Sequence, residues 1–517
     1  MQVEDFLELS ARWFPDKTAL VCGAQRLSYR EIAARSSRIA HGLIALGIRR
    51  GDRVAVYLDN SVEAVVSVFG ILKAGAVFMM VNPTTKGEKL AYVLNNSRAR
   101  ALIAPHQKAR DIQSWRSLVP HLETVLVVGK EEAAPQSSLK GMVSWAELMA
   151  EHAQSLEPPA RQTIDIDLAA LIYTSGSTGN PKGVVLTHLN MVAAATSITT
   201  YLENTPDDIV LNVLPLSFDY GLYQVLMAFK VGGTIVLERS FTYHHAILEK
   251  LLEERATGFP IVPTISAILL QMDLTKYRFP NLRYITNTGA ALPTQHIVKL
   301  RALFPHTRVY SMFGLTECKR VSYLPPEQVD TRPTSVGKAM PNVEAYIVNE
   351  QGQRLPPGEV GELVVRGSNV MKGYWELPEE TALMLRPGPT PGEQVLHTGD
   401  LFRMDEDGYL YWVGRKDDMI KSRGEKVSPK EVENVLYGME GVAMAAVIGV
   451  PDAVLGQAVK AVVTLKEGSQ LTEDDVLRHC SRHLEEFMVP KLVEIRENMP
   501  RTPTGKIDKR ELAARTQ

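Results

Sequence analysis

Apolar positions spaced three and four apart, each set followed by a short apolar run, recur along the first part of the chain. Ser28 followed by Glu31 reads as a capping box, and Ile32, Ile39, Leu43 and Leu46 then share one helical face until Gly47 ends the helix. The spacing next predicts a strand from Arg53 to Leu58, a helix over 62–74 and a second strand along Ala76-Val77-Phe78-Met79-Met80-Val81. A helix around 87–95 leads into Ala101-Leu102-Ile103-Ala104, and further strands are expected near 209–213, 234–237, 283–287 and 308–310. Apolar strands alternating with helices at this pitch predict parallel sheets covered on both faces.

From about residue 335 the pattern turns to alternating strands joined by tight loops, with Asn349-Glu350-Gln351-Gly352 and Asp405-Glu406-Asp407-Gly408 reading as hairpin connections. The last hundred or so residues read as a compact α+β unit. There Ser428-Pro429 with Glu431 predicts a helix start by cap, first-turn proline and capping box. Strands near 443–449 and 458–465 and a helix after Thr472 complete it, which places a domain boundary near 415. Pro387 to Gly392 reads as the clearest linker, and residues 130–165 as a surface excursion.

Composition narrows the function. A chain of 517 residues exceeds one ordinary core, so several folding units are expected. Hydrophobic residues at 45% and charged residues at 22% describe a globular enzyme rather than a disordered or fibrous chain. Fifty-seven basic against 59 acidic residues leave a formal charge of -2, without the basic excess that nucleic acid or an anionic membrane demands. The longest mainly apolar stretch, Gly441 to Val450, is too short to span a bilayer, and Glu4, Asp5 and Glu8 break any signal-like start. The expected location is therefore the cytoplasm. Cys22, Cys318 and Cys480 are too sparse for a disulfide framework or a zinc site.

The chemistry is concentrated in one loop. The strand-like Leu168 to Tyr173 runs into Thr174-Ser175-Gly176-Ser177-Thr178-Gly179-Asn180-Pro181-Lys182-Gly183. Glycines let backbone N–H groups turn inward around an anion, hydroxyls add donors, and Lys182 supplies charge, so the loop suits a polyphosphate. It is not a Walker A loop, because Pro181 precedes the lysine and Gly183 follows it.

With Tyr173 to Val184, four further segments resemble motifs of the adenylate-forming superfamily of acyl-CoA synthetases, amino-acid adenylation domains and firefly-type luciferases. They are Met312-Phe313-Gly314-Leu315-Thr316-Glu317, Thr398-Gly399-Asp400-Leu401, Gly414-Arg415-Lys416-Asp417-Asp418 and Pro503-Thr504-Gly505-Lys506, in family order. The resemblance implies an α/β and α+β multidomain fold. Residues 1–414 would form a large N-terminal domain of two αβ-layered sheet subdomains plus a β-barrel, 415–418 the hinge, and 419–517 a small mobile C-terminal domain.

It also implies residue roles. Thr174, Ser175, Gly176, Ser177, Thr178, Gly179 and Lys182 would meet phosphate, and Gly289, Ala290 and Ala291 would line the adenine pocket. Phe313 would stack on adenine within Phe313-Gly314-Leu315-Thr316, and Glu317 would hold Mg²⁺. Asp400 and Arg415 would take the ribose hydroxyls. Lys506 would bridge the acid's carboxylate and the α-phosphate, and with Glu317 and Thr174 it makes up the expected catalytic set. Asp417 would be the pivot that withdraws Lys506 while the loop containing Arg423 and Gly424 swings in to line a thiol tunnel.

The resemblance thus implies an ATP- and magnesium-dependent ligase. It activates a small carboxylic or amino acid as an acyl-AMP and passes the acyl group to coenzyme A or to carrier-bound phosphopantetheine on a separate acyl or peptidyl carrier protein. Phe218, Asp219, Val262, Asn287 and Gly289 are expected in the acid pocket. Phe218-Asp219 matches the amino-acid branch, where the carboxylate meets the substrate's α-amino group, and points to a proline-like amino acid; the other reading of Asp219 is a cap on the helix beginning near Tyr220. Val262-Pro263-Thr264 matches the acyl-CoA branch instead. Cys318-Lys319-Arg320 places a cation either by the pocket or at its surface, and Cys318 lacks a nearby base that would make it a nucleophile. A luciferase-like oxygenase is the remaining alternative.

Overall fold

The computed structural model describes residues 1–108, 111–112, 116–129, 141–174, 181–290, 292–416, 418–422, 425–452, 455–502 and 506–514. Two large sheets build the first part. The seven described strands of one lie in the order Met142–Ser144, Thr124–Val128, Ala101–Pro105, Arg53–Val56, Val77–Met80, Leu168–Thr174 and Lys182–Thr187. All pair in parallel except the last, which closes an antiparallel hairpin with Leu168–Thr174.

The second sheet has six parallel strands at its centre, in the order Arg308–Phe313, Tyr284–Asn287, Gly258–Ile261, Ile209–Asn212, Thr234–Leu237 and Thr18–Cys22. Ile209–Asn212 lies between strands that follow it in sequence on both sides, so the strand order reverses there. Loops at the carboxyl ends of parallel strands beside such a reversal open a crevice, the usual ligand position in open α/β sheets.

Helices cement the two sheets. Tyr29–Ala45 carries the expected Ser28–Glu31 capping box, and Val62–Lys73 is buried almost all round. Phe69 stacks on Phe229 of helix Asp219–Val231 with centroids 5.3 Å apart, and Tyr29 meets the same ring edge-on. Burying each such aromatic contributes roughly 1.5–3 kcal/mol, and one apolar core runs continuously from sheet to sheet.

The region expected as a β-barrel is a five-stranded antiparallel unit folded around the long strand Gln394–Met404. That strand pairs with Val360–Gly367 on one side and with Leu385–Pro387 and Leu410–Arg415 on the other. The Asp405 to Gly408 turn is a hairpin as expected, closed by a Gly408 N–H to Asp405 carbonyl bond of 2.9 Å. Residues from Ile420 onward form a separate sheet with its own apolar core. No helix among the described residues is long and apolar enough to cross a membrane.

Three sequence expectations change. Pro387 to Gly392 is not a linker: the Gly388 N–H bonds the Glu393 carbonyl at 2.9 Å, making a hairpin loop between paired strands. Within the supposed surface excursion, Met142–Ser144 joins the first sheet and Trp145–Glu151 is a helix. Ser428 precedes the helix Pro429–Tyr437 without capping it, because its hydroxyl donates to the Val413 carbonyl and so ties the C-terminal unit to the last strand before it.

Candidate active site

Most of the expected site segments leave the carboxyl ends of the parallel strands in the second sheet. Ile209–Asn212 runs toward Phe218 and Asp219, and Gly258–Ile261 delivers Val262. Tyr284–Asn287 delivers Gly289 and Ala290, and Arg308–Phe313 delivers Gly314 to Glu317. Strand period thus places residues from four distant stretches along one rim.

The hairpin of the first sheet brings Thr174 and Lys182, the described ends of the expected phosphate segment, toward this rim. Thr174 and Lys182 face each other across its last rung, and the ammonium of Lys182 lies 5.5 Å from the ring centre of Tyr374. Tyr374 donates its hydroxyl to Glu317 Oε1 at 2.6 Å, so the expected phosphate lysine and the expected magnesium carboxylate flank one side chain. Burial and the neighbouring Glu317 push the Tyr374 phenol well above its ordinary range, which keeps it a donor. Ser175, Gly176, Ser177, Thr178 and Gly179 lie outside the described residues, as do Ala291, Asp417, Arg423 and Gly424. Among the described residues no group of three His, Cys, Asp or Glu side chains could hold a metal on protein ligands alone.

Asp400 sits on the long antiparallel strand, 4% exposed. Its Oδ1 accepts from Trp412 Nε1 at 2.9 Å and its Oδ2 from Arg415 Nη1 at 3.0 Å. Burial raises its pKa, an effect that Arg415 and Trp412 only partly offset. Phe313 meets Phe402 edge-on at 4.8 Å, which fixes the ring expected against adenine. Asn287 is 1% exposed and donates to the Ala290 carbonyl at 3.1 Å, holding the turn that follows its strand.

Gly289 has φ +85°, and a Cβ there would stand 3.2 Å from Phe218 Cζ and 3.6 Å from Lys506 Cε. The C-terminal lysine therefore stands against the N-terminal rim. Its loop is pinned by a Thr502 N–H to Lys506 carbonyl bond of 2.8 Å and by the bridge between Arg501 and Ile507. Lys506 is open to solvent in the cleft, yet the surrounding protein lowers its pKa by burial, opposed by Asp219, Asp400 and Glu317. Pro503, Thr504 and Gly505 lie outside the described residues.

Asp219 is the first residue of its helix, whose N-terminus shows no side-chain cap, so the capping alternative does not hold. Its Oδ2 lies 3.6 Å from Lys319 Nζ, with both side chains nearly buried. The cation of Cys318-Lys319-Arg320 is thus inside the protein and beside the expected pocket. Burial raises the Cys318 thiol far above its ordinary range, with Glu317 adding to the effect, which excludes a thiolate nucleophile.

Sequence reasoning missed Tyr374, Trp412 and the Lys319–Asp219 pair. Trp412 had one readable signal: it lies on the strand after the Asp405 to Gly408 hairpin, which folds back alongside Asp400. Lys319 had one too, since Cys318-Lys319-Arg320 reads as a cation by the pocket or at its surface, but its pairing with Asp219 had none, and neither had Tyr374, whose partner is 57 residues away.

Fold and rim define a nucleotide-binding enzyme with a separate C-terminal unit that places a lysine in the cleft. Comparison with known proteins gives the same class. The AMP-binding enzyme family matches residues 7–375 and the AMP-binding enzyme C-terminal domain matches residues 431–506. The chain belongs to this family, the adenylate-forming enzymes. It is 35% identical over 510 residues to a feruloyl-CoA synthase of Amycolatopsis sp, covering 98% of this chain and 97% of that protein. It is 33% identical over 534 residues to a long-chain-fatty-acid–CoA ligase of Salmonella typhimurium, covering 98% and 93%. Among solved structures it resembles the anthranilate CoA ligase AuaEII in complex with anthranoyl-AMP, with TM-score 0.89, 27% identity and coverage of 100% and 97%. ATP-bound MatB from Rhodopseudomonas palustris gives TM-score 0.87 and 32% identity, with coverage of 100% and 99%.

Proposed function

We propose that the protein is an AMP-forming acid–coenzyme A ligase. The observation that carries this reading is Lys506, borne by the C-terminal unit and standing at Gly289 among Asp219, Asp400, Arg415 and Glu317. An ammonium at that place compensates two anions that must meet, the acid's carboxylate and the α-phosphate of ATP. The relatives named above, several of them CoA ligases across 93% or more of their length, support coenzyme A as the acceptor.

In this reading Thr174 and Lys182 hold the triphosphate with the residues between them, Phe313 with Gly289, Ala290 and Ala291 holds adenine, and Asp400 with Arg415 holds ribose. Magnesium takes one or two carboxylates and completes its shell with substrate phosphates and water, so Glu317 and the Thr174 hydroxyl suit it; when bound it neutralises phosphate charge. The acid's carboxylate oxygen bonds to the α-phosphorus as the bond to pyrophosphate breaks. Lys506 stabilises the charge shared between them. Coenzyme A then attacks the acyl carbon as thiolate, and AMP departs with its phosphate oxygen. Lys506 has no part in that second step, so its unit is free to rotate at 415–418, dividing an N-terminal domain of 1–414 from a C-terminal domain of 419–517. Asp417 is the pivot, and Arg423 and Gly424 enter the thiol path.

The test is acid-dependent exchange of labelled pyrophosphate into ATP across fatty, aromatic and amino acids, followed by thioester formation with coenzyme A or a phosphopantetheinylated carrier. Exchange with an acid and transfer to coenzyme A is the expected result. A transfer confined to the carrier reassigns the acceptor, and absence of exchange with every acid removes the ligase reading.

A further inference from the structure

The buried carboxylate of the acid pocket already has its cation. Asp219 and Lys319 stand 3.6 Å apart with side chains 10% and 4% exposed. A carboxylate this deep requires one positive partner. That partner is supplied by the chain itself, 100 positions away along the sequence. The Lys319 ammonium also lies 4.4 Å from the ring centre of Tyr223 and 5.6 Å from that of Tyr220, which fixes its position on the helix face that carries Asp219. Lys319 holds φ +63°, an unfavourable backbone conformation for a residue with a Cβ, so the turn after Glu317 is bent in a way that aims this side chain inward. Next in the chain, Arg320 is 1% exposed, lies 5.5 Å from the Tyr220 ring centre, and leaves Nε and Nη1 without a hydrogen-bond partner among the described residues. On the cleft side Lys506 reaches Gly289, which Phe218 also touches, and the charge of Asp219 acts on its ammonium.

An ammonium group carried by a substrate into this corner would find Asp219 already paired with Lys319, with the guanidinium of Arg320 packed behind them against Tyr220. We propose that the Asp219–Lys319 pair is a specificity element that selects carboxylic acids without an amino group beside the carboxylate, with Lys319 occupying the place of that group. Lys319 is here a positioning and discriminating residue, and the inference rests on the assignment of Phe218–Asp219 to the acid pocket made above. It explains how a Phe-Asp sequence of the amino-acid type coexists with a Val262-Pro263-Thr264 segment of the acyl-CoA type: the carboxylate is retained and its demand for an ammonium is met from within.

The experiment compares matched pairs in the exchange assay, 3-phenylpropanoate with phenylalanine, octanoate with 2-aminooctanoate, and cyclopentanecarboxylate with proline. Wild-type enzyme is expected to favour the acid without the amino group by at least a hundredfold in kcat/KM. Lys319→Ala is expected to reduce that ratio at least tenfold by freeing Asp219 to pair with the substrate ammonium, and Asp219→Asn with Lys319→Ala is expected to abolish the gain. A purely structural role lowers both members of a pair equally and leaves the ratio unmoved. Lys319→Met, which keeps the length of the stem, replaces the alanine variant if that one does not fold, and the wild-type ratio stands without any variant. An amino acid used by wild type as well as its deaminated partner, or a ratio unmoved in a folded Lys319 variant, overturns the inference alone. Absence of exchange with every acid overturns it together with the ligase reading.

Discussion

Replacing Lys506 with alanine is expected to separate the two half-reactions proposed above. The cleft groups around it are Asp219, Asp400 and Glu317 on the negative side and Arg415 on the positive side. Without Lys506, one guanidinium of this set faces three carboxylates before ATP and the acid bring more negative charge. Two unit charges about 4 Å apart interact by about 4 kcal/mol at the effective dielectric of a protein surface cleft. At about 1.4 kcal/mol per factor of ten, that corresponds to a loss on the order of 10³ in adenylation, in line with losses of roughly 10²–10³ for one preorganised transition-state contact. Pyrophosphate exchange reads this step. Thioester formation from chemically supplied acyl-AMP reads the other, and it should change by less than about threefold, under 1 kcal/mol. Lys506 is exposed, so stability should stay within about 0.5 kcal/mol of wild type, which separates lost chemistry from lost folding. Equal loss in both assays would refute the proposal, since a residue proposed to leave with a rotating C-terminal unit would not serve both steps.

Three further outcomes follow from particular contacts. Asp400→Asn removes the charge held by Trp412 and Arg415 and should raise the KM for ATP roughly 10- to 100-fold, the equivalent of a charged hydrogen bond at about 1.5–3 kcal/mol; an unchanged KM removes Asp400 from the ribose site. Gly337→Ala places a Cβ 1.7 Å from the Tyr323 carbonyl oxygen at φ +85° and should cost about 3 kcal/mol or more, measured as a fall in the urea midpoint; a wild-type midpoint would contradict the packing. Glu4 is buried beside His188, and burial raises its pKa to about 7, so the folded protein holds a proton that the unfolded chain has released between pH 4.5 and 7, and stability falls as pH rises through that window. Glu4→Gln, which cannot ionise, should therefore exceed wild type by about 3 kcal/mol at pH 8, and the gain should fall below about 0.5 kcal/mol at pH 4.5.

Much of the molecule was legible because its signals are local. The Ser28–Glu31 box, the strands around 53–56, 77–80 and 101–105, and the Asp405 turn each depend on residues within a few positions of one another, and each formed as the pattern predicts. Ser428 shows the limit of that logic. Its local sequence is a cap, but a carbonyl on the neighbouring strand of the larger unit competes for the hydroxyl and wins. Asp219 shows the same limit at the site: Phe218-Asp219 reads locally as a receptor for an amino group, and only the fold sets Lys319 3.6 Å from its carboxylate.

By itself the sequence determined the family and the order of its five motifs, and it named the candidate groups for a polyphosphate, because loop chemistry and strand period are properties of adjacent residues. Tertiary structure alone decided which of those groups meet. Sheet order carries the ends of strands from 212, 261, 287 and 313 to one rim, and the C-terminal unit is set so that Lys506 reaches Gly289. It also gave Glu317 its Tyr374, Asp400 its Trp412 and Asp219 its Lys319. The physical reason is that a buried charge takes whichever partner packing delivers, and that partner is chosen by the register of strands far apart in the chain.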